Sequence, residues 1–190
     1  MASYHWDALM STAVPLQTQY ADRDDVFVGV SVTMYYVEGD SEMAVQPDVF
    51  AAFDTAFDPR REVWKTWEKG KLADFVLEMT TMRRKTRDDV YKPILYRRLG
   101  VTEYWQYDPA GDYLDPPLKG RRLNPNGEYE PIPLVTSPNG VRYGTSEVLG
   151  LQLCLTDTAS ASSTPPPGSS FSPTRTMSDS ARSAMSSIAS

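Results

Sequence analysis

The sequence predicts an α/β fold of the α+β kind: a central mixed β-sheet flanked by helices, with a β-hairpin region towards its C-terminal end. Three observations predict it. Four short runs are rich in β-branched and aromatic residues, at 26–37, 44–53, 74–80 and 103–107. One stretch, 86–99, carries apolar residues at helical spacing, and an Asn-Pro-Asn-Gly turn sits at 124–127 between two further β-like runs. These signals place strands, a helix and a hairpin on one chain.

In order, residues 1–20 read as a short helical segment through Trp6, Leu9, Met10, Val14 and Leu16, cut by Pro15. Val26 to Val37 reads as one strand with Val26, Val28, Val30 and Val32 on a common face. Ala44 to Phe53 reads as a second strand, with Pro47 marking an edge or bulge because it lacks a backbone donor. Val63 to Trp67 is a short strand and Glu68 to Lys71 a turn. Asp74 to Thr80 follows, with Asp74, Val76 and Glu78 on one face and Phe75, Leu77 and Met79 on the other. In the predicted helix over 86–99, Val90, Ile94, Leu95 and Leu99 form an apolar stripe. Asp88, Lys92 and Tyr96 recur every four residues on another stripe, Pro93 forces a kink or a fresh start, and Gly100 stops the helix. Glu103 to Tyr107 is a strand, Arg121 to Val135 a hairpin, and 140–144 and 149–155 short β pieces. The expected division is a short N-terminal segment (1–20), a domain over 21–155 and a Ser/Thr/Pro/Ala-rich tail (156–190). The tail cannot bury enough apolar surface to order itself.

Composition narrows the chemistry. Hydrophobic residues make up 41% of the 190, enough for a packed core. A net charge of -6 and a pI near 4.8 argue against a protein that coats nucleic acid non-specifically, though not against a local basic patch. One histidine, His5, and one cysteine, Cys154, leave no disulfide framework, no Cys/His zinc set and little basis for a Ser-His-Asp or Cys-His hydrolase. Cys154 lies in an apolar run and reads as a small buried hydrophobe. No secretory signal, membrane span or nucleotide-cofactor motif is evident, so the expectation is a cytoplasmic protein.

Two carboxylates stand out by context. Asp48 follows Pro47 within an otherwise apolar strand, and Glu78 lies near the end of another. Acidic residues are disfavoured in strands and costly to bury unless paired or metal-bound. Two carboxylates about 4 Å apart repel by roughly 4 kcal/mol at an effective dielectric of 20, and a divalent cation between them reverses that sign. Oxygen-only ligation suits Mg²⁺ or Mn²⁺. The competing reading of each is a solvent-facing acid on an ordinary strand.

A longer series of motifs then sets these residues in context: Pro47-Asp48-Val-Phe, Trp67-Glu-Lys-Gly70, Asp74-Phe-Val-Leu-Glu78, Arg83-Arg-Lys85, Asp88-Asp-Val-Tyr-Lys92 and the run Tyr96 to Pro109. In this order they resemble the Uma-two family of restriction endonucleases, within the PD-(D/E)xK nuclease superfamily, over residues 20–155. The resemblance implies a bacterial, restriction-endonuclease-like protein that hydrolyses DNA, often as a homodimer. It implies that Asp48 and Glu78 bind Mg²⁺ (or Mn²⁺). Thr80 stands where the superfamily usually has lysine. The resemblance matches that lysine to Lys92, in a D-x-x-x-K pattern with Asp88. On electrostatic grounds its expected role is a cation that orients water and offsets charge; the competing reading is a surface lysine paired with Asp88. Arg83, Arg84, Lys85 and Arg87 form a basic loop that could meet the phosphate backbone, as could Arg97, Arg98, Lys119, Arg121 and Arg122. Either stretch could instead be a solvated face. Trp64, Trp67 and Trp105 could stack on bases, but core packing is the more ordinary role. Three departures from the family pattern stand beside it: a short N-terminal segment, Ala73 in place of proline before the Glu78 strand, and an atypical ending. They keep open an alternative, a catalytically decayed nuclease fold that only binds.

Overall fold

The computed structural model describes residues 2–55, 61–80, 90–156 and 170–175. The chain begins with helix α1 (Ala2–Gln19). Strands β1 (Val26–Val30), β2 (Thr33–Tyr35), β3 (Ala44–Val45), β4 (Val49–Phe53) and β5 (Val63–Lys65) follow. Next come the single-turn helix α2 (Thr66–Lys69), β6 (Phe75–Met79), helix α3 (Lys92–Arg98) and β7 (Glu103–Tyr107). The remaining strands are β8 (Leu118–Leu123), β9 (Tyr129–Ile132), β10 (Leu134–Thr136), β11 (Arg142–Ser146), β12 (Leu151–Thr156) and β13 (Ser170–Arg175).

The central sheet is mixed, in the order β1-β4-β6-β7-β8-β9. Within this sheet β6 and β7 are the parallel pair, and the crossover between them includes α3. A four-stranded antiparallel sheet, β10-β11-β12-β13, and a small sheet, β3-β2-β5, complete the molecule. Strand alternation divides the core in two. Val49 and Ala51 of β4, Phe75, Leu77 and Met79 of β6, and Trp105 and Tyr107 of β7 face α1 and the β11–β12 side. Phe50, Ala52, Val76 and Tyr104 face the other way, onto Met34, Val45, Trp64 and Tyr96. The split expected for β6 is therefore the one observed.

Two expected strands are each broken once, at matching places. Ser31 has φ of 51°, and its N–H donates to the Asp48 carbonyl at 2.9 Å. Opposite it, Gln46-Pro47-Asp48 separates β3 from β4, where Pro47 has no N–H to offer the ladder. Both chains leave the central sheet there and pair again as β2 and β3 in the small one. The common face expected for Val26 to Val32 therefore ends at Ser31, and Val32 packs in the opposite core from Val28.

The sequence predicts that Pro15 cuts the N-terminal helix; instead α1 runs through it. Leu9, Ala13, Leu16 and Tyr20, spaced at helical intervals, are all buried on the sheet. Burial of this face offsets the cost of about 3 kcal/mol for an interior proline. The buried stripe also differs from the expected one, because Trp6 and Val14 are exposed. Within the segment expected to be a disordered tail, Ser170–Arg175 pairs antiparallel with β12. That pairing covers the edge of β12 with backbone hydrogen bonds. The rest of 157–190 lies outside the described residues. Cys154 is buried, as expected. Among the described residues no helix is long and apolar enough to cross a membrane.

Candidate active site

The site forms where β4 begins and where the parallel pair β6 and β7 ends. Val49 pairs with Leu77 in the last rung of the antiparallel β4–β6 ladder, so Asp48 comes opposite Glu78 one position further on. There the Asp48 side chain replaces the missing backbone partner: its Oδ2 accepts the Met79 N–H at 2.7 Å. Asp48 is thus fixed by the break at Pro47 and by the end of the ladder, and it is buried.

Glu78 is fully buried on the same face as Val76. Both of its oxygens are engaged from α3. The Tyr96 hydroxyl donates to Oε1 at 2.7 Å, and the Lys92 ammonium lies 2.7 Å from Oε2. Residues four apart on a helix share a face, so one short helix delivers both groups. Pro93 sits in the first turn of α3, behind a Tyr91 already in right-handed helical conformation, and Gly100, at φ of 76°, ends the helix. The N–H of Gly100 bonds the Arg97 carbonyl at 3.1 Å and that of Val101 the Tyr96 carbonyl at 3.0 Å, a Schellman closure. The apolar stripe expected for the helix is split: Leu95 and Leu99 pack against the core, whereas Val90 and Ile94 are exposed, and Lys92 and Tyr96 are buried. Ion pairing to Glu78 turns the polar stripe inward, and Tyr96 adds a ring contact with Tyr104, centroids 5.3 Å apart.

Electrostatics follow from burial. Loss of water pushes the Glu78 carboxyl up to about 7, helped by the nearby Asp48 and opposed by Lys92 and the Tyr96 hydrogen bond. Burial also raises the Tyr96 hydroxyl well above its ordinary value, with Glu78 adding to the effect, so it stays a donor. Two further polar side chains share this face. Gln106 is the register partner of Glu78 on β7, is buried, and accepts from Arg121 Nη1 at 2.6 Å. Thr80, two residues beyond Glu78, is buried, and its Oγ1 has no hydrogen-bond partner among the described residues.

A divalent cation suits this donor set. Two buried carboxylates adjacent in register repel each other, and the unpartnered Thr80 hydroxyl adds a neutral oxygen on the same face. Among the described residues no cluster of three or more Asp, Glu, His or Cys side chains forms, so water or neutral oxygens would complete the shell.

Asp48, Glu78 and Lys92, singled out from the sequence, therefore meet in one place. Tyr96 and Gln106 were not singled out. The i+4 stripe through Lys92 already carried Tyr96, whereas Gln106 depends on the β6–β7 register. The basic loop of Arg83, Arg84, Lys85 and Arg87, and Asp88, lie outside the described residues. The other basic positions are mostly engaged within the chain. Arg97 pairs with Glu128, and Arg122 with Glu103 and Glu147. Trp64 and Trp105 are core residues, while Trp67 on α2 is partly exposed.

Fold and site together define an α/β protein with two carboxylates and one lysine meeting at the ends of a parallel strand pair. The family profile described as "Uma2: Putative restriction endonuclease" matches residues 8–156. The chain belongs to this Uma2 family. Among solved structures it is similar to a protein described as a putative nuclease belonging to DUF820 from Anabaena variabilis. The match has 10% identity and a TM-score of 0.48, and covers 72% of this chain and 73% of that one. No curated protein matches the sequence significantly.

Proposed function

We propose that this protein is a metal-dependent endonuclease that hydrolyses DNA phosphodiester bonds. One observation carries the reading: Asp48 at the start of β4, Glu78 on β6 and Lys92 on α3 are all buried, Asp48 comes opposite Glu78 in register, and Lys92 pairs with Glu78. A buried carboxylate pair is expensive, and in a protein of this family a cation is the natural reason to keep it. Asp48 and Glu78 would hold Mg²⁺ or Mn²⁺. Such an ion, when bound, supplies a hydroxide-like water and neutralises phosphate charge.

The chain's own residues do the rest. Met79 N–H holds Asp48 in one orientation, and Tyr96 holds one oxygen of Glu78. Lys92 places its ammonium 2.7 Å from Glu78 Oε2, where it can offset the negative charge that grows on the phosphoryl oxygens in the transition state. Its proposed role is that of a cation, not of a base. The working form is proposed to be a homodimer, as such small nucleases often are, acting in the cytoplasm; sedimentation at micromolar concentration checks the dimer.

Conversion of supercoiled plasmid to nicked and linear forms tests the activity. Cleavage should require Mg²⁺ or Mn²⁺, stop with EDTA, and fall by about 10³-fold or more in Asp48→Asn and Glu78→Gln. Equal nicking by wild type and both variants would mean a contaminating nuclease. No nicking by a folded wild type would leave the decayed, binding-only form as the correct reading.

A further inference from the structure

The register across the central sheet aligns four polar side chains on one face. Asp48 lies opposite Glu78, Glu78 pairs with Gln106, and Gln106 pairs with Lys119 of β8. The neighbours of Lys119 confirm which way it faces. Leu118 is buried in the opposite core, and a Cβ on Gly120 would meet the Trp105 ring of that same core at 2.7 Å. Arg121, two residues on, returns to the site face, where its guanidinium reaches Gln106 and lies 5.9 Å from the centre of the Tyr104 ring.

Lys119 differs from the cations around it. Arg97, Arg121 and Arg122 all have internal partners. Lys119 is half-buried, and among the described residues it has no carboxylate partner. A half-buried lysine without a counter-ion has an ammonium available to an external anion. It lies two strand spacings from Glu78, roughly 10 Å between backbones, and its four-carbon stem can swing over much of that gap.

We propose that Lys119 is a phosphate-binding residue: it holds the backbone phosphate next to the one attacked at Asp48 and Glu78. The nucleic-acid strand would then cross the sheet from β4 towards β8, with Gln106 beneath it and its amide oxygen already held by Arg121. The contact is to a phosphate and reads no base, so it sets position and affinity, not sequence preference. This inference rests on the nuclease reading above.

The test uses the full chain, a fluorescent DNA duplex, and Ca²⁺ in place of Mg²⁺ for binding at several NaCl concentrations. Lys119→Met keeps the apolar stem and removes the charge. Its dissociation constant should rise about tenfold, and the log–log salt slope should become shallower by about 1, the share of one phosphate contact. In Mg²⁺ the loss should appear in KM, with kcat within about twofold, because the contact is made equally in the ground and transition states. Lys119→Arg should restore both affinity and slope, which a purely structural role would not require. A wild type that binds and cleaves while Lys119→Met keeps the same slope and KM would overturn this inference and leave the nuclease reading intact. A wild type that neither binds nor cleaves DNA would overturn both.

Discussion

Glu78 is the residue on which most of the site's energetics turn. Its carboxyl is raised from 4.5 to about 7, first by burial and then by Asp48. Between those two pH values the folded chain holds a proton that the unfolded chain has released. Stability must therefore fall as pH rises through that window and level off above it. At about 1.4 kcal/mol per pH unit the fall is at most about 3 kcal/mol. Urea melts in EDTA between pH 4.5 and 8 should show this slope in wild type and lose most of it in Glu78→Gln; parallel curves would refute the assignment. Tyr96 acts on the same carboxylate from the other side. Tyr96→Phe deletes one hydroxyl from a sealed contact and leaves Glu78 Oε1 short of a donor, a cost of about 1–3 kcal/mol by thermal melting.

Helix α3 and the strands beside it show how far the sequence pattern reaches. The Gly100 stop and the i, i+4 pairing of Lys92 with Tyr96 were both readable, because each depends on local backbone geometry. Which stripe of the helix turns inward was not, because that depends on Glu78, a partner far away in sequence. The same division separates Asp48 from Gln106. Proline beside an acid is a local mark, whereas the β6–β7 register is set by the whole sheet. The fate of Pro15 was misread for a related reason: the penalty is local and the compensating burial is tertiary. Strand β8 offers a test of such packing. A Cβ at Gly120 would meet Trp105 at 2.7 Å and one at Gly144 would meet it at 2.6 Å, so both strands leave room for that one ring. Gly120→Ala should destabilise the fold by about 1–3 kcal/mol through overpacking, and paired with Trp105→Leu it should cost much less than the sum of the two. Additive losses in a double-mutant cycle would show that the ring does not set this requirement.

The molecule as a whole places its most costly polar group between an acidic body and a buried cation, Lys92. The net charge is -6, so electrostatics over long distances draw divalent cations in and phosphate away. Local pairing must then decide what binds. In the chain alone, Lys92 neutralises Glu78 at 2.7 Å. A divalent cation at the Asp48–Glu78 pair would compete with that ammonium for the same oxygen, so Lys92 should weaken metal binding even as it assists cleavage. Lys92→Met separates the two effects. Without the ammonium, Glu78 is a buried acid with no counter-charge, and the variant should melt below wild type in EDTA. Added Mg²⁺ then replaces the missing charge without having to displace anything. Ligand held by the folded state alone stabilises it by about 2.7 kcal/mol at a hundredfold excess over its dissociation constant. The rise in Tm on adding Mg²⁺ should therefore be larger in Lys92→Met than in wild type and absent in Asp48→Asn, while plasmid nicking by Lys92→Met falls by about 10²-fold or more. If Mg²⁺ raises the Tm of wild type and Asp48→Asn alike, the ion binds elsewhere. If Lys92→Met responds less than wild type, the lysine supports the metal and does not compete with it.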